Sequence, residues 1–295
     1  MGQDIRQEEM ITQYDFFRTK YGDELLIDLI RLEDLEKYIR LSPIQRLTYY
    51  DITIIADGNG TFNIDGHEHD LRNGTVFFSA PRQIRKWNVR NTPRGYVLIF
   101  EEEFLLTFFN DRQFVQNLSC FNSFDNPPIL HLEPDDYNQL MVLLQHIKNE
   151  ISSFRNNDEH ILRALLYQSL ILLNRKFIAT HPSSQKKPIK NYVREFIQLV
   201  ETNHHQYRTV DYYAQQLFIT SGHLNSVVKD YFGVSAKKYI LSKNILEAKR
   251  LLQYTDMTIA QIAYYLNYEN TTYFIRTFRE HTTLTPLRFR RQANP

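Results

Sequence analysis

Residues 209–290 read TVDYYAQQLFITSGHLNSVVKDYFGVSAKKYILSKNILEAKRLLQYTDMTIAQIAYYLNYENTTYFIRTFREHTTLTPLRFR. In this stretch the apolar residues recur at helical spacing in short runs, and turn or capping residues separate the runs. The pattern predicts a short helix over 210–217 and a helix over 221–231, and then the same pair again over 259–266 and 271–281. Because the second helices of the two pairs begin about 50 residues apart, the stretch predicts two helix-turn-helix units in tandem.

Residues that cap helices stand at the expected boundaries of these units. Ser235 is placed to cap a longer helix that joins the two units and ends near Gln253. Thr258 and Gln261 have the spacing of a capping box, and Asn270 is placed to cap the last helix of the second pair. The capping residues therefore agree with the helical periodicity.

The same stretch resembles the DNA-binding domain of the AraC/XylS family of bacterial transcription factors over about 80 residues. The resemblance is strongest in ILEAKRLL (245–252), TIAQIAYYLNY (258–268), YFIRTFRE (273–280) and TPLRFR (285–290). In that family a long linker helix joins two helix-turn-helix units, and the second helix of each enters the major groove. The resemblance implies the same arrangement here and a sequence-specific, DNA-binding regulator that is not an enzyme.

Three positions depart from the family pattern. Asn267 replaces the glycine that commonly ends the penultimate short helix, and it tolerates the left-handed conformation better than most residues. Thr282-Thr283 stands where a glycine usually precedes the terminal Thr-Pro, and a β-branched residue there is expected to shift the loop. Ser226 occupies a site where the first recognition helix often has arginine, which leaves that helix with fewer direct DNA contacts.

Helical spacing divides each recognition helix into a core face and a DNA face. With the apolar residues packed inward, the first helix presents Ser221, His223, Asn225, Ser226 and Lys229. The second helix presents Thr271, Thr272, Tyr273, Ile275, Arg276 and Arg279.

Arg276 is the strongest prediction for a base contact, because a guanidinium group pairs bidentately with guanine. We expect Lys229 and Arg279 to contact phosphates. For any one of the presented residues a backbone contact or a solvated side chain fits the sequence equally well, since most protein–DNA hydrogen bonds go to the backbone.

Charge is distributed unevenly along the chain. Residues 1–185 carry 19 Lys and Arg against 26 Asp and Glu, a net of −7, whereas residues 186–295 carry 16 against 8, a net of +8. A basic half of this kind is the electrostatic pattern expected of a nucleic-acid-binding module. A solvated basic face without a partner gives the same count, so the helical pattern decides between the two.

The first half has the pattern of a β domain that ends in helices. Short antiparallel strands are predicted over roughly 47–100, separated by Asp-Gly and Asn-Gly turns, and helices over about 134–153 and 158–178. An exposed linker is predicted over 181–188, between domains at 1–180 and 189–295. The predicted fold class is α+β, with a β-barrel and two helices followed by an all-α domain.

Residues 60–87 resemble a cupin stretch, with a hairpin, a turn and a proline before the final strand. The resemblance implies a cupin-like domain for effector sensing or dimerisation. In metal-binding cupins a histidine follows the proline shortly afterwards, but no histidine follows Pro81 here. His67 and His69 flank a turn, and the sequence offers no third metal ligand at the family spacing, so we predict no metal and no cofactor. Candidate effector-pocket residues are Tyr49, Phe62, Phe78, Arg85 and Trp87. Aromatic residues at alternating strand positions are also typical of a core.

Composition limits the remaining possibilities. A single cysteine, Cys120, excludes an intramolecular disulfide, and no apolar run is long enough to span a bilayer, so a cytoplasmic protein without membrane contact is expected. The expected partners are double-stranded DNA, RNA polymerase, a small-molecule effector and a second copy bound through the N-terminal domain. Two alternatives stay open: a constitutive regulator whose first domain only dimerises, and a cupin enzyme fused to a DNA-binding tail.

Overall fold

The computed structural model describes residues 11–22, 24–106, 114–121, 126–154, 159–181 and 191–293. The chain divides into two compact units, Met1–Gln185 and Lys186–Pro295. Apart from His181, the predicted linker lies outside the described residues. The predicted domain limits at residues 180 and 189 stay a prediction.

The first unit is a β domain that ends in two long helices. Its described strands are β1 Thr12–Tyr14, β2 Ile27–Arg31, β3 Ile44–Leu47, β4 Tyr50–Asp57, β5 Thr61–Ile64, β6 His67–Asp70, β7 Thr75–Ser79, β8 Ile84–Asn88, β9 Arg94–Phe100 and β10 Ile129–His131. A 3-10 helix covers Leu32–Leu35, and the α-helices are α1 Glu36–Leu41, α2 Glu103–Leu106, α3 Phe114–Asn117, α4 Pro134–Ser152 and α5 His160–Thr180.

The strands form two five-stranded sheets, in the orders β1-β3-β8-β5-β6 and β10-β7-β4-β9-β2. The strand pairs are antiparallel except for β1 with β3, which run parallel. Side chains from both sheets meet in one buried cluster, in which the Phe62 ring lies 5.0 Å from the Phe77 ring and 4.2 Å from the Trp87 ring, between centroids. The predicted β domain is confirmed, and it extends beyond 47–100 because β1, β2, β3 and β10 lie partly or wholly outside that range.

Helices α4 and α5 cover the other face of the second sheet. Ile52, Phe78 and Phe100 belong to the same buried cluster as Leu144 and Phe177 on the helices. A strand alternates its side chains between two faces, so β4, β7 and β9 supply one set to the interior between the sheets and the other set to the helices. This double burial explains why the central strands are apolar on both faces.

The second unit consists of helices and short connecting loops in its described residues. Its helices are α6 Asn191–Asn203, α7 Val210–Gln216, α8 Ser221–Phe232, α9 Ala236–Tyr254, α10 Ile259–Tyr265, α11 Thr271–Thr282 and α12 Pro286–Ala293. Helices α7 to α11 agree with the predicted helices to within one or two residues, and the predicted all-α domain is confirmed. None of the helices in the described part of the chain is long and apolar enough to cross a membrane.

The predicted caps of the second unit are present. The side chains of Ser235 and Asn270 accept from backbone N–H groups three residues later, and Thr258 with Gln261 forms a complete capping box. Thr220 caps α8 in the same way. These caps fix where α8, α9, α10 and α11 begin, and each removes an unsatisfied backbone donor, which stabilises a helix by about 1 kcal/mol.

The second unit contains two hydrophobic cores, one for each helix-turn-helix pair. Phe196, Tyr213 and Leu224 are at the centre of the first core, and Ile262 and Phe274 are at the centre of the second. Helix α9 contributes residues to both cores. It is therefore the predicted linker helix.

Candidate DNA-binding surface

Helices α8 and α11 have the same pattern of burial along their length. Each buries its fourth, seventh and eighth residues, which are Leu224, Val227 and Val228 in α8 and Phe274, Thr277 and Phe278 in α11. Positions spaced three and four apart form one stripe on a helix, so each helix packs along one face and leaves the opposite face exposed. The predicted recognition residues lie on or beside these exposed faces.

Helix α8 leaves its short polar and basic side chains in solvent. His223, Ser226 and Lys229 are exposed. Ser221 is half-buried, and its hydroxyl group donates to Asp211 at the start of α7. This hydrogen bond joins the two helices of the first pair, so part of the Ser221 hydroxyl group's bonding capacity is used within the protein.

Asn225 differs from the other predicted contacts of α8. It is half-buried, and its amide oxygen accepts from the backbone N–H of Ala236 at a distance of 3.1 Å. Ala236 is the first residue of α9, where backbone donors lack partners within the helix. The amide oxygen of Asn225 therefore has a structural partner, which helical spacing alone does not reveal.

Helix α11 exposes more charge and more bulk. Thr272, Tyr273, Arg276 and Arg279 are exposed, whereas Thr271 is half-buried. Ile275, the counterpart of Asn225, is half-buried against the second core. The exposed face of α11 is therefore dominated by one aromatic ring and two guanidinium groups.

The Arg276 side chain is 69% exposed and has only weak partners within the described protein. Its Nε lies 3.9 Å from Glu280 Oε1, and its Cζ lies 5.4 Å from the centroid of the Tyr273 ring. An exposed ion pair at this distance contributes about 0–1 kcal/mol. The guanidinium group is consequently free to exchange Glu280 for a nucleic-acid partner at little energetic cost.

Further exposed basic residues follow each recognition helix, and the sequence prediction did not include them. Lys237 and Lys238 lie in the first turn of α9, and Arg288 and Arg291 lie on α12. The signal was present in the sequence, since each recognition segment is followed within about ten residues by a capping hydroxyl residue and a basic cluster. A basic helix N-terminus is suited to phosphate contact.

The predicted effector-pocket residues do not share one site in the first unit. Phe62, Arg85 and Trp87 are buried between the sheets, and Tyr49 packs against the same cluster. Phe78 lies on the opposite face of its sheet, where its ring meets Phe121 and Phe177. The prediction for Phe78 was wrong because the alternation along β7 places its neighbour Phe77, and not Phe78, between the sheets.

Arg85 belongs to a buried polar cluster at one end of that interior. Its Nη1 lies 2.5 Å from Asp51 Oδ2, and its Nε and Nη2 donate to Gln45 Oε1 at 3.2 and 3.1 Å. The Thr53 hydroxyl group donates to Asp51 Oδ1 at 2.7 Å. Burial raises the pKa of the nearby Tyr49 to about 12, so that side chain is a neutral hydrogen-bond donor at physiological pH.

A cleft of about 860 Å³ opens at the other end of the β domain, between the β4–β5 and β8–β9 connections. It is lined by Asp57, Gly58, Asn59, Gly60, Asn88, Val89, Arg90, Asn91, Thr92 and Arg94. Arg94 Nη2 donates to Asp57 Oδ2 at 2.7 Å across its wall. The cleft contains none of the residues predicted for the effector pocket, because it is formed by turns whose spatial proximity the strand pattern does not encode.

His67 and His69 lie on β6, directly after the Asp65-Gly66 turn. His67 is exposed, and burial lowers the pKa of the half-buried His69 below its usual value, with the neighbouring His67 acting in the same direction. Within the described residues, no three His, Cys, Asp or Glu side chains are grouped so that they could hold a metal ion.

Two family profiles match the chain. One is a helix-turn-helix domain over residues 213–292, and the other is an AraC-like ligand binding domain over residues 41–170. The chain belongs to the AraC/XylS family.

Two bacterial operon regulators are similar to most of the chain. It is 25% identical to the lactose operon transcription activator of Staphylococcus xylosus, over 80% of this chain and 82% of that protein. It is 21% identical to the Msm operon regulatory protein of Streptococcus mutans, over 91% and 93% of the two chains. Among solved structures, the C-terminal domain of the response regulator yesN from Fusobacterium nucleatum is 28% identical, with a TM-score of 0.33, over 34% of this chain and 99% of that domain.

The departures of this chain from the AraC/XylS pattern leave its backbone turns intact. Asn267 has a φ of 53° and Thr283 a φ of 64°, so both residues adopt the left-handed conformation that glycine commonly provides. Thr283 matches Gly233, which ends α8 with a φ of 73°. Thr283 itself takes the left-handed conformation, and the expected shift of the Thr282-Thr283 loop stays a prediction.

Proposed function

We propose that this DNA-binding transcriptional regulator inserts α8 and α11 into successive major grooves and reads bases mainly through α11. The observation that carries the proposal is the matching register of the two helices, each of which buries one stripe and exposes the other. Arg276 is the residue assigned to base reading, because its guanidinium group is exposed and weakly paired. Lys229 and Arg279, at equivalent positions of the two helices, are assigned to phosphates.

Selection of bound sequences from random DNA by the full-length protein tests this assignment. We expect an enriched motif with two half-sites, and a relaxed preference at one or two positions for Arg276→Ala. Lys229→Ala should weaken binding to all sequences alike and reduce the slope of log affinity against log salt by about one. Arg72→Ala, which removes an exposed arginine of the first unit, should change neither property. A protein that enriches no motif contradicts the proposal.

We also propose that the first unit binds a small, hydroxyl-rich effector in the cleft between residues 57–60 and 88–94. Asparagine and threonine side chains line this cleft, and they offer the mixed donors and acceptors that sugar hydroxyl groups require. The Staphylococcus xylosus relative is named for a lactose operon, which supports a carbohydrate as the class of effector. Binding would shift the population between DNA-binding states.

Melting temperatures in the presence of lactose, galactose and sucrose test the effector proposal. A ligand at about 100 times its Kd stabilises the folded state by about 2.7 kcal/mol, which raises the melting temperature of the first unit by several degrees. Asn88→Ala and Asn91→Ala should abolish the rise, whereas Asn149→Ala, on the exposed face of α4, should retain it. The absence of any rise favours the constitutive alternative.

The helices of the first unit carry exposed apolar side chains. We propose a cytoplasmic homodimer formed through the first unit, where the exposed Val142 and Ile161 on α4 and α5 offer apolar contact area. Replacing both residues with glutamate should convert the dimer to a monomer in sedimentation experiments.

We propose contact with RNA polymerase and no catalytic activity of the chain itself. A stoichiometric metal in purified protein would revive the enzyme alternative.

A further inference from the structure

The loop between α6 and α7 connects the two helix-turn-helix pairs a second time. It precedes the first pair, yet three of its six residues form hydrogen bonds with the linker helix or the second pair. Asn244 Nδ2 donates to the carbonyl group of His204 at 3.0 Å, and Asn267 Nδ2 donates to the carbonyl group of Gln206 at 2.6 Å. Arg208 Nη1 donates to the carbonyl group of Asn267 at 3.0 Å.

Ring contacts reinforce the same connection. The guanidinium carbon of Arg208 lies 3.7 Å from the centroid of the Tyr268 ring and 5.5 Å from that of Tyr273. The rings of His205 and Tyr265 stack at 5.7 Å, with 18° between their planes. Cation–π contacts contribute about 0.5–2 kcal/mol, depending on exposure. Arg208 therefore holds both the turn of the second pair and the first turn of α11.

Asn244 closes the connection at its buried end. It lies on α9, its side chain is fully buried, and its Oδ1 accepts from the Tyr268 hydroxyl group at 2.9 Å while its Nδ2 bonds the loop. A buried amide with both ends satisfied specifies one arrangement, because any rotation of the second pair leaves polar groups unpaired. The loop, Asn244 and Tyr268 thus form a closed set of contacts.

A helix alone would be a less restrictive connection between the two pairs. Helix α9 has 19 residues, which corresponds to about 28 Å at 1.5 Å per residue, and the two cores lie on it as separate clusters. Long helices bend. A second connection beside the helix prevents the second pair from swinging or twisting about the axis of α9.

We propose that residues 204–208 with Asn244, Asn267 and Tyr268, here called the strap, fix the separation and orientation of α8 and α11. The inference rests on the proposed function. If the strap holds α8 and α11 in one orientation, the protein binds two half-sites at one spacing only, because each added base pair rotates the second half-site about the DNA axis by about 34–36°. The members of the strap are positioning residues. Arg208 acts on the DNA-reading helix through its contacts with Tyr268 and Tyr273.

Three substitutions loosen the strap without removing core side chains. Asn267→Gly keeps the left-handed turn and removes the hydrogen bond to Gln206. Tyr268→Phe removes only the hydroxyl group that reaches Asn244. Arg208→Lys keeps the charge, so that a simple phosphate contact would survive, but removes the planar stacking on tyrosine. Lys229→Ala, a predicted phosphate contact outside the strap, is the matched control.

The first measurement needs no DNA. Spin labels report the distance between the two helices when they are attached at Asp230→Cys on α8 and Glu280→Cys on α11, which are equivalent exposed positions. The native Cys120 is fully buried and is therefore shielded from the label. We expect one narrow distance distribution for the otherwise unaltered chain and for Lys229→Ala. The triple variant, which combines Asn267→Gly, Tyr268→Phe and Arg208→Lys in one chain, should give a broader distribution. A triple variant as narrow as the wild type overturns the inference.

The second measurement compares affinities for the selected motif with zero, one, two or five base pairs inserted between its half-sites. Wild type and Lys229→Ala should lose about tenfold or more at two inserted base pairs, whereas the triple variant should lose less than about threefold. If inserted base pairs reduce the affinity of all three proteins by the same factor, the strap does not set the spacing and the inference is overturned. The inference also fails if the triple variant binds every spacing more weakly by one common factor, because that result would identify Arg208 as a phosphate contact. If the wild type selects no DNA, the proposed function fails, whereas the distance measurement still decides whether the strap holds the helices.

Discussion

Exchanging the residues that end the two recognition helices gives a matched pair of stability changes. Gly233 and Thr283 both have positive φ, at 73° and 64°. The left-handed conformation disfavours a residue with a Cβ by about 1–2 kcal/mol, and glycine loses about 0.5–1 kcal/mol more conformational entropy on folding. Thr283→Gly is therefore expected to stabilise the second unit by up to about 1 kcal/mol, and Gly233→Thr to destabilise it by a similar amount.

Steric collision does not contribute to the Gly233→Thr estimate. A Cβ built on Gly233 meets no atom of the described residues within 4 Å, so the backbone conformation alone sets the effect. Urea unfolding followed by far-UV circular dichroism gives the free energy of unfolding of the helical unit. The only tryptophan, Trp87, lies in the first unit, and its fluorescence transition serves as the internal control. A destabilised Thr283→Gly protein, or a Gly233→Thr protein with an unchanged midpoint, refutes the reasoning.

Three further predictions concern groups with structural partners. Asn225→Ala should destabilise the second unit by about 1 kcal/mol in urea unfolding, because the N–H of Ala236 loses its acceptor; an unchanged midpoint would show that water replaces the amide. Burial, which outweighs the opposing effects of the Val200 carbonyl and nearby carboxylates, lowers the pKa of His204. As the pH falls, the unfolded chain therefore takes up a proton at this residue before the folded chain does, so the free energy of unfolding should decrease below about pH 6.5. His204→Gln should make that decrease smaller; an identical pH profile contradicts the assignment of the decrease to His204. Arg85→Leu should destabilise the first unit by about 3 kcal/mol in tryptophan-detected unfolding, because it leaves Asp51 buried without its cation, and Asp51→Asn in the same chain should recover part of the loss; a small single-variant effect would show that Asp51 is compensated elsewhere.

The helical unit could be predicted from the sequence because its information is local. The cap at Asn270 and the capping box at Thr258 each involve residues three positions apart, and the core face of each recognition helix follows from 3.6-residue periodicity. Glycine at Gly233 and asparagine at Asn267 mark left-handed turns by residue type alone. At Thr283 the tertiary structure overrides an unfavourable local preference.

The β domain and the strap depend on contacts that are distant in sequence. Phe77 and Phe78 are adjacent residues of the same type and both are buried, so residue type could not show which of them lies between the two sheets. Strand β1 pairs in parallel with β3 through residues about 30 positions away, and the cleft brings together turns that are equally far apart. Asn225 was predicted to face DNA because helical spacing does not show that its amide reaches the next helix.

The most direct test of two unequal recognition helices is a double-mutant cycle between protein and DNA. Affinities of the full-length wild type and Arg276→Ala are measured for the selected motif and for versions with each half-site scrambled in turn. We expect both scrambled DNAs to bind more weakly than the intact motif. The effect of Arg276→Ala, about 1–3 kcal/mol on intact DNA, should vanish when the half-site of α11 is scrambled and persist when the other is scrambled. An Arg276→Ala effect that is the same on all three DNAs contradicts the account.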